Sequence, residues 1–202
     1  MESLHFPQFD PQISQVSIAL FTKVSNAGAL KLRIIAAATA EGQAGDVERE
    51  AVNFAFIDAR LITSKLHLET AVCQALLAAS QDALRTRTVH SEVLYNLNPT
   101  HNITEAIRRY GVSDANTDVI VVRIDSPELT PEAVLKKMEA VVVGTLSPFS
   151  DLENITDWAS IKKYHKLNGE LAITEAAKDP QKEHAVIDKI VTSSVAMKSV
   201  MS

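Results

Sequence analysis

The chain has 202 residues, of which 46% are hydrophobic and 22% are charged, and its formal net charge is -5 at pH 7. This composition is that of a globular protein and not of a disordered chain. The acidic balance excludes a protein that binds polyanions through its overall charge, so any such contact needs a local basic patch. The single cysteine, Cys73, cannot form an internal disulfide, which indicates a reducing compartment. With no secretory signal and no membrane span, the sequence predicts a soluble intracellular protein with a single domain over residues 1–202.

The first half of the chain predicts two strands and two helices in alternation. Runs of β-branched and aromatic residues indicate the strands, and apolar residues spaced three and four apart indicate the helices. The second helix carries two neighbouring apolar stripes, so we expect it to pack on more than one side. The predicted segments are an extended N-terminal segment over 1–14, a strand over 16–24, a helix over 26–40, a polar loop over 41–50, a strand over 51–62 and a long helix over 64–85.

The second half combines two further strands with several helices. A continuous run of β-branched residues, DVIVVRI, is typical of a strand buried on both faces. Thr130-Pro131 and Asp179-Pro180 each combine a capping residue with a proline, which predicts a helix start. The predicted segments are a strand over 118–124, a helix over 131–140, a strand over 141–146, a loop over 147–154 and helices over 155–167, 168–178 and from 180 onwards. The pattern predicts an α/β (α+β) fold, a single domain with a mixed or antiparallel sheet of about four strands covered by about seven helices.

Between the long helix and the third strand, residues 85–112 read RTRTVHSEVLYNLNPTHNITEAIRRYGV. A threonine cap and a proline stop predict one short helix. An asparagine cap, an apparent capping box with Glu105 and a closing glycine predict a second. The boundary residues are Thr88, Pro99, Asn102 and Gly111. The basic residues left over have two interpretations: cations favoured at a helix end, or a patch that contacts phosphate. They are Arg85, Arg87, Arg108 and Arg109.

The C-terminal segment HAVIDKIVTSSVAMKSVMS carries apolar residues around more than half of its helical circumference. A chain terminus is usually polar and frayed unless something holds it. Two interpretations stay open. The segment is a core helix of this chain, or one of its faces docks against another protein, for which methionines suit an adaptable contact. The residues predicted for such a contact are Ile187, Ile190, Val191, Val195, Met197 and Met201.

Motifs of catalysis are mostly absent from the sequence. The chain contains no dinucleotide-binding, P-loop or nucleophile-elbow motif. None of its six histidines has a second His or Cys at ligand spacing, so neither a metal nor another cofactor is predicted. Cys73 lies on an apolar helical stripe and is predicted to be structural. The alternative function is that of a small-molecule enzyme with an unrecognised site near His90, Glu92 and His101.

Three stretches together resemble the PRPK-binding protein family, the small subunit of the EKC/KEOPS complex. They are the segment 85–112, the strand VIVVRI and the IKKYHKL sequence at 161–167. The resemblance covers most of the chain in order, and it departs from a compact family member at 41–50 and 147–154. It implies a non-catalytic protein with no cofactor, no membrane contact and no small-molecule substrate. Such a protein binds and activates the kinase-like ATPase subunit and, through it, meets the remaining subunits.

The same resemblance implies a role in tRNA processing. The complex helps to install N6-threonylcarbamoyladenosine next to the anticodon, and some family members hold the 3′ CCA tail of tRNA. In fungi the complex is also linked to telomere maintenance and transcription, which implies the nucleus (chromosome and telomere) and the cytoplasm as locations. We therefore expect the apolar C-terminal helix to contact the kinase subunit. We expect the four arginines to contact the tRNA backbone, since phosphate contacts supply affinity without reading sequence.

Overall fold

An open antiparallel sheet of five strands forms the centre of the molecule in the computed structural model, which describes residues 1–200. Its order is β1-β2-β4-β3, and β5 pairs with β2 beyond the end of β1. The longest register joins β2 to β4, from Gln15 opposite Asp125 to Phe21 opposite Val119. The strands are β1 (Glu2–His5), β2 (Gln15–Thr22), β3 (Ala55–Asp58), β4 (Val119–Asp125) and β5 (Thr145–Ser147). The predicted α+β fold with an antiparallel sheet is confirmed, with one strand more than expected.

Nine α-helices flank this sheet within residues 1–200. Two begin at predicted caps, where the side chains of Thr88 and Thr130 accept hydrogen bonds from backbone N–H groups three residues on, and Ser64 caps α3 in the same way. The helices are α1 (Ala27–Thr39), α2 (Gly42–Ala51), α3 (Lys65–Ser80), α4 (Val89–Leu97), α5 (Ile103–Tyr110), α6 (Pro131–Glu139), α7 (Trp158–Tyr164), α8 (Leu171–Ala176) and α9 (Pro180–Met197). None of these helices is long and apolar enough to cross a membrane.

Both faces of the sheet are covered, which explains the continuous apolar run of β4. Successive residues of a strand point to opposite faces, so Ile120 and Val122 enter one core and Val119 and Val121 enter another. The first core also receives side chains of α3, α4 and α9, and the second receives side chains of α1 and α6. The helix pair α4–α5 and the C-terminal helix therefore lie on the same side of the sheet as α3.

The predicted loop over 41–50 is wrong, because Gly42–Ala51 forms helix α2. This helix is polar and is held by contacts that are distant in sequence. Arg49 donates to the carbonyl oxygens of Ala37 and Ala40 at the end of α1, and Arg33 pairs with Glu48. The helix is therefore stabilised by its neighbour α1 and not by an apolar stripe of its own.

Other segment boundaries also differ from the predictions. The N-terminal segment 1–14 contains β1 and a 3-10 helix, Pro11–Ile13. The strand predicted over 51–62 is only four residues long and passes into a 3-10 helix over Ala59–Leu61, where Asp58 accepts a hydrogen bond from the Arg60 N–H. The long helix ends at Ser80. The loop predicted over 147–154 is largely a 3-10 helix, Phe149–Asn154.

Candidate functional site

The turn between α4 and α5 is built by short polar side chains. Asn98 has extended backbone before Pro99, as a residue preceding proline prefers. Its amide donates to the carbonyl oxygen and the hydroxyl of Thr100, at 3.1 and 2.8 Å. Asn102 caps α5 by accepting from the Glu105 N–H at 2.9 Å. The Glu105 carboxylate accepts from the Thr100 hydroxyl, so only half of the predicted capping box forms.

Gly111 ends α5 for a reason other than the predicted one. Its φ is -75°, so it does not adopt the left-handed conformation typical of a glycine after a helix. It forms an isolated bridge with Ile57 of β3. A Cβ atom at this position would lie 2.4 Å from the Ile107 carbonyl oxygen. Glycine is required here because the chain passes too close to the helix for a side chain.

A buried carboxylate anchors the arginine-bearing segment before α4. Glu92 is 2% exposed. Its Oε2 accepts from the N–H of Arg85 at 3.0 Å, the N–H of Thr86 at 2.8 Å and the Thr86 hydroxyl at 2.7 Å. The side chains of Arg85 and Arg87 are exposed. The backbone of the segment is therefore fixed while its two guanidinium groups face solvent, an arrangement that suits contact with an anionic partner.

The two arginines of α5 have different environments. Arg108 is exposed, whereas the side chain of Arg109 is only 19% exposed and pairs with Glu105 at 2.7 Å. The Arg109 guanidinium also lies 4.5 Å from the centre of the Tyr164 ring. Because these contacts hold Arg109 within the molecule, the prediction of a four-arginine surface is corrected to three exposed arginines. We call Arg85, Arg87 and Arg108 the arginine surface.

Lys198, just after α9, inserts its side chain into the end of α4. The residue is 7% exposed. Its ammonium group donates to the backbone carbonyl oxygens of Tyr95, of Asn98 at 2.6 Å and of Thr100 at 3.1 Å. The nitrogen lies 3.8 Å from the centre of the Tyr95 ring. Burial lowers the pKa of Lys198 to about 8, and the charge of Glu92 acts in the opposite direction.

A polar cavity of about 120 Å³ lies between the α4–α5 turn and the end of α9, beside Lys198. The Oδ1 atom of Asn98 is buried without a hydrogen-bond partner among the described residues. The two histidines of the wall are each bonded to a tyrosine: His101 to Tyr95 at 2.8 Å, and His165 to Tyr110 at 2.9 Å. The wall includes Asn98, Pro99, His101, His165, Ser194 and Lys198.

The predicted partner-binding residues of helix α9 differ in their exposure. Ile187, Val191 and Val195 are buried in the core. As contact residues these three are corrected, because in this conformation a partner cannot reach side chains that pack against the rest of the chain. Ile190 is half-buried, and Met197 is 50% exposed. Met201 lies outside the described residues.

An exposed apolar strip lies at the end of α9 and just after it. Met197, the last residue of α9, is 50% exposed, and Val200, three residues further on, is 70% exposed, whereas Ile190 packs against the first core. Val200 belongs to the apolar pattern of the C-terminal segment, although it was not among the residues predicted for the contact. We call Met197 and Val200 the terminal strip. A kinase contact through this helix stays a prediction, and these are the apolar residues that remain available for it.

The three residues of the enzyme alternative do not form a common site. His90 is buried, and its Nε2 accepts from the Ile124 N–H at 2.9 Å. Burial lowers the pKa of His90 to about 3. Glu92 accepts three hydrogen bonds from its own chain, whereas His101 is exposed and bonds to Tyr95. His90 and Glu92 thus hold the fold together, which leaves no shared acid–base geometry. Within residues 1–200, no group of three or more His, Cys, Asp or Glu side chains is placed to hold a metal ion.

Comparison with known proteins identifies the family. The family model described as "Kinase binding protein CGI-121" matches residues 21–199. A protein of Cryptococcus neoformans, named EKC/KEOPS complex subunit CGI121, is 35% identical over 234 residues, which cover 100% of both chains. A protein of the same name from Neurospora crassa is 32% identical over 94% of this chain and 95% of its own length. A third, from Aspergillus terreus, is 35% identical over 81% of this chain and 78% of its own length. The chain belongs to the CGI-121 family of kinase-binding proteins.

Proposed function

We propose that this chain is the kinase-binding subunit of an EKC/KEOPS complex, and that it binds and stimulates the kinase-like ATPase subunit. The family match and the names of the relatives support this assignment. The observation that carries it is the terminal strip, where apolar side chains stay exposed at the end of the last helix although that helix is anchored in the core. Asp188 accepts from the Thr63 hydroxyl at 2.6 Å, and Gln74 donates to the Ala196 carbonyl at 3.1 Å. An anchored helix with an exposed apolar end is a preformed docking surface.

The docking surface can be tested by placing a charge on it. Met197→Asp adds a carboxylate to the strip without entering the core, and we expect it to weaken association with the kinase-like subunit at least tenfold. Ala185→Asp is the matched control, because it adds the same charge at an exposed position of the N-terminal half of α9. Association is measured by calorimetry, and stimulation by the ATP hydrolysis of the kinase-like subunit. Equal affinities of the two variants would exclude the terminal strip as the contact.

We propose further that the arginine surface contacts tRNA. Arg85, Arg87 and Arg108 supply positive charge on a chain whose net charge is -5. In this proposal the chain helps the complex to engage tRNA for threonylcarbamoyladenosine formation. The telomere role and the nuclear and cytoplasmic locations are part of the same proposal.

The salt dependence of tRNA binding tests the arginine surface. Each lost phosphate contact lowers the slope of log K against log salt by about 0.7–0.9. We therefore expect Arg85→Ala with Arg87→Ala to weaken binding and to lower the slope by about 1.4–1.8. Lys136→Ala, which removes an exposed cation of α6 on the other side of the sheet, is the control. An unchanged slope in the double variant would contradict the proposal.

A further inference from the structure

We propose that Lys198 is a positioning residue that couples the terminal strip to the arginine surface, so that a partner bound at the strip strengthens tRNA binding. The inference rests on the proposed function and adds regulation to it. Lys198 lies between Met197 and Val200 in the chain, and those two side chains face solvent. Its own side chain points in the opposite direction, into the α4–α5 turn. One short segment therefore reaches both surfaces.

The three acceptors of Lys198 belong to the end of α4 and to the turn that follows. The last carbonyl groups of a helix have no partner within the helix and carry partial negative charge. Lys198, about 100 residues further along the chain, donates to the carbonyl oxygen of Asn98 and to that of Tyr95, which also accepts from the Asn98 N–H. It also bonds Thr100, whose hydroxyl donates to Glu105 in α5. The ammonium group thus fixes the relative position of α4, the turn and α9.

The Lys198 ammonium group is held by directed hydrogen bonds and not by an ion pair. A buried ammonium group is costly to desolvate, and replacing buried charges by apolar groups of similar size is often neutral or stabilising. Here its three hydrogens are directed to three carbonyl oxygens, and the Tyr95 ring covers it. No carboxylate of the described residues forms an ion pair with Lys198. The directed bonds hold α4, the turn and α9 in one relative position, and this positioning is the role of Lys198.

The elements that Lys198 fixes carry the arginine surface. Helix α4 contains Glu92, which holds the backbone of Arg85 and Thr86. Helix α5, which begins just after the turn, carries Arg108. The cavity of about 120 Å³ beside Lys198 leaves room for the turn to shift when the lysine is released. Met197 and Lys198 are adjacent in the chain, so a partner that holds the terminal strip also holds Lys198 in the turn.

The test compares tRNA affinity of the chain alone with that of its complex with the kinase-like subunit. Lys198→Met keeps most of the side-chain length and removes the ammonium group. Lys189→Met, at an exposed position of α9, is the matched control. For the wild-type chain and the control we expect the subunit to tighten tRNA binding at least fivefold, which is the lower range of allosteric coupling. For Lys198→Met we expect a ratio close to one, with both partners still bound. Lys198→Arg, which keeps the charge, should restore part of the coupling.

The outcomes separate this inference from the proposed function. A wild-type chain that binds neither partner overturns both. If both partners bind normally but the kinase-like subunit leaves the tRNA affinity of the wild-type chain unchanged, the coupling alone is overturned. The same holds if the subunit tightens tRNA binding to Lys198→Met as much as to the wild type. A second measurement needs no variant: hydrogen exchange of the amides over 95–100 in the wild-type chain should slow when the kinase-like subunit binds. Exchange that does not change in this segment also overturns the inference.

Discussion

The anchoring of the arginine-bearing segment by Glu92 can be tested by removing its carboxylate. Three donors converge on Glu92 Oε2, from the N–H groups of Arg85 and Thr86 and from the Thr86 hydroxyl. A hydrogen bond to a charged group contributes about 1.5–3 kcal/mol. The three bonds share one oxygen and are not additive, so we expect Glu92→Ala to lower the free energy of unfolding by about 2–4 kcal/mol. Glu92→Gln keeps an acceptor without the charge and should lose about half as much.

The measurement is urea unfolding followed by circular dichroism, together with hydrogen exchange of the amides of Arg85 and Thr86. Both amides donate to the carboxylate, so their exchange should accelerate more than the global loss of stability explains. Glu139→Ala removes an exposed carboxylate of α6 and should change stability by less than about 0.5 kcal/mol. If Glu92→Ala were as stable as Glu139→Ala, the segment would not depend on this anchor, and the rigid presentation of Arg85 and Arg87 would be refuted.

Three further predictions concern stability. Burial lowers the pKa of His67 and His90 to about 3 and that of His165 to about 4, so below pH 6.5 the unfolded chain binds protons that the native chain does not. The free energy of unfolding should therefore fall as the pH decreases from 6.5 towards 4, by up to about 1.4 kcal/mol per pH unit for each histidine. A free energy of unfolding that stays constant between pH 7 and 5 in urea titrations would contradict this. Val191→Ala, on the buried side of α9, should lower the free energy of unfolding by roughly 1–3 kcal/mol, whereas Met197→Ala should lower it by less than about 0.5 kcal/mol. Similar losses of the two variants in thermal unfolding would contradict the difference in burial between the two positions. Gly111→Ala should destabilise the chain by more than about 1 kcal/mol, because its Cβ would overlap the Ile107 carbonyl oxygen, and a neutral effect in the same scans would refute that clash.

The parts of the fold that were predictable depend on local sequence. Thr88, Thr130 and Asp179 accept hydrogen bonds from backbone N–H groups that lie within three residues of them. A helix start of this kind can therefore be predicted from a short stretch of sequence. Strand β4 is readable because burial on both faces leaves no polar positions in the run Val119–Val122. Helix α2 could not be predicted in this way. Its stability depends on Arg49 reaching the carbonyl groups of α1, a contact that requires the tertiary structure.

In the candidate site, too, only the features that depend on local sequence were predictable. The exposed positions of Arg85, Arg87 and Arg108 agree with their polar surroundings in the sequence, but nothing local shows that Arg109 is held by Tyr164, 55 residues away. Glu92 has the sequence pattern of an ordinary acidic residue in the first turn of a helix. It becomes an anchor because the preceding segment folds back over it. Lys198 carries no signal at all, since a lysine near a chain end is expected to be solvated.

One side of the C-terminal helix agrees with the core interpretation, whereas the docking of another protein on the exposed apolar residues stays a proposal. Ile187, Val191 and Val195 are core residues, and burying side chains of this kind stabilises a fold by about 1.5–3 kcal/mol each. A partner that bound this side would have to offset their exposure, at least about 4 kcal/mol, before any net affinity appeared. A partner on the terminal strip requires no such loss, because Met197 and Val200 are already exposed. A charge at Val191 would therefore unfold the helix without reporting on the contact, whereas a charge at Met197 reports on the contact alone.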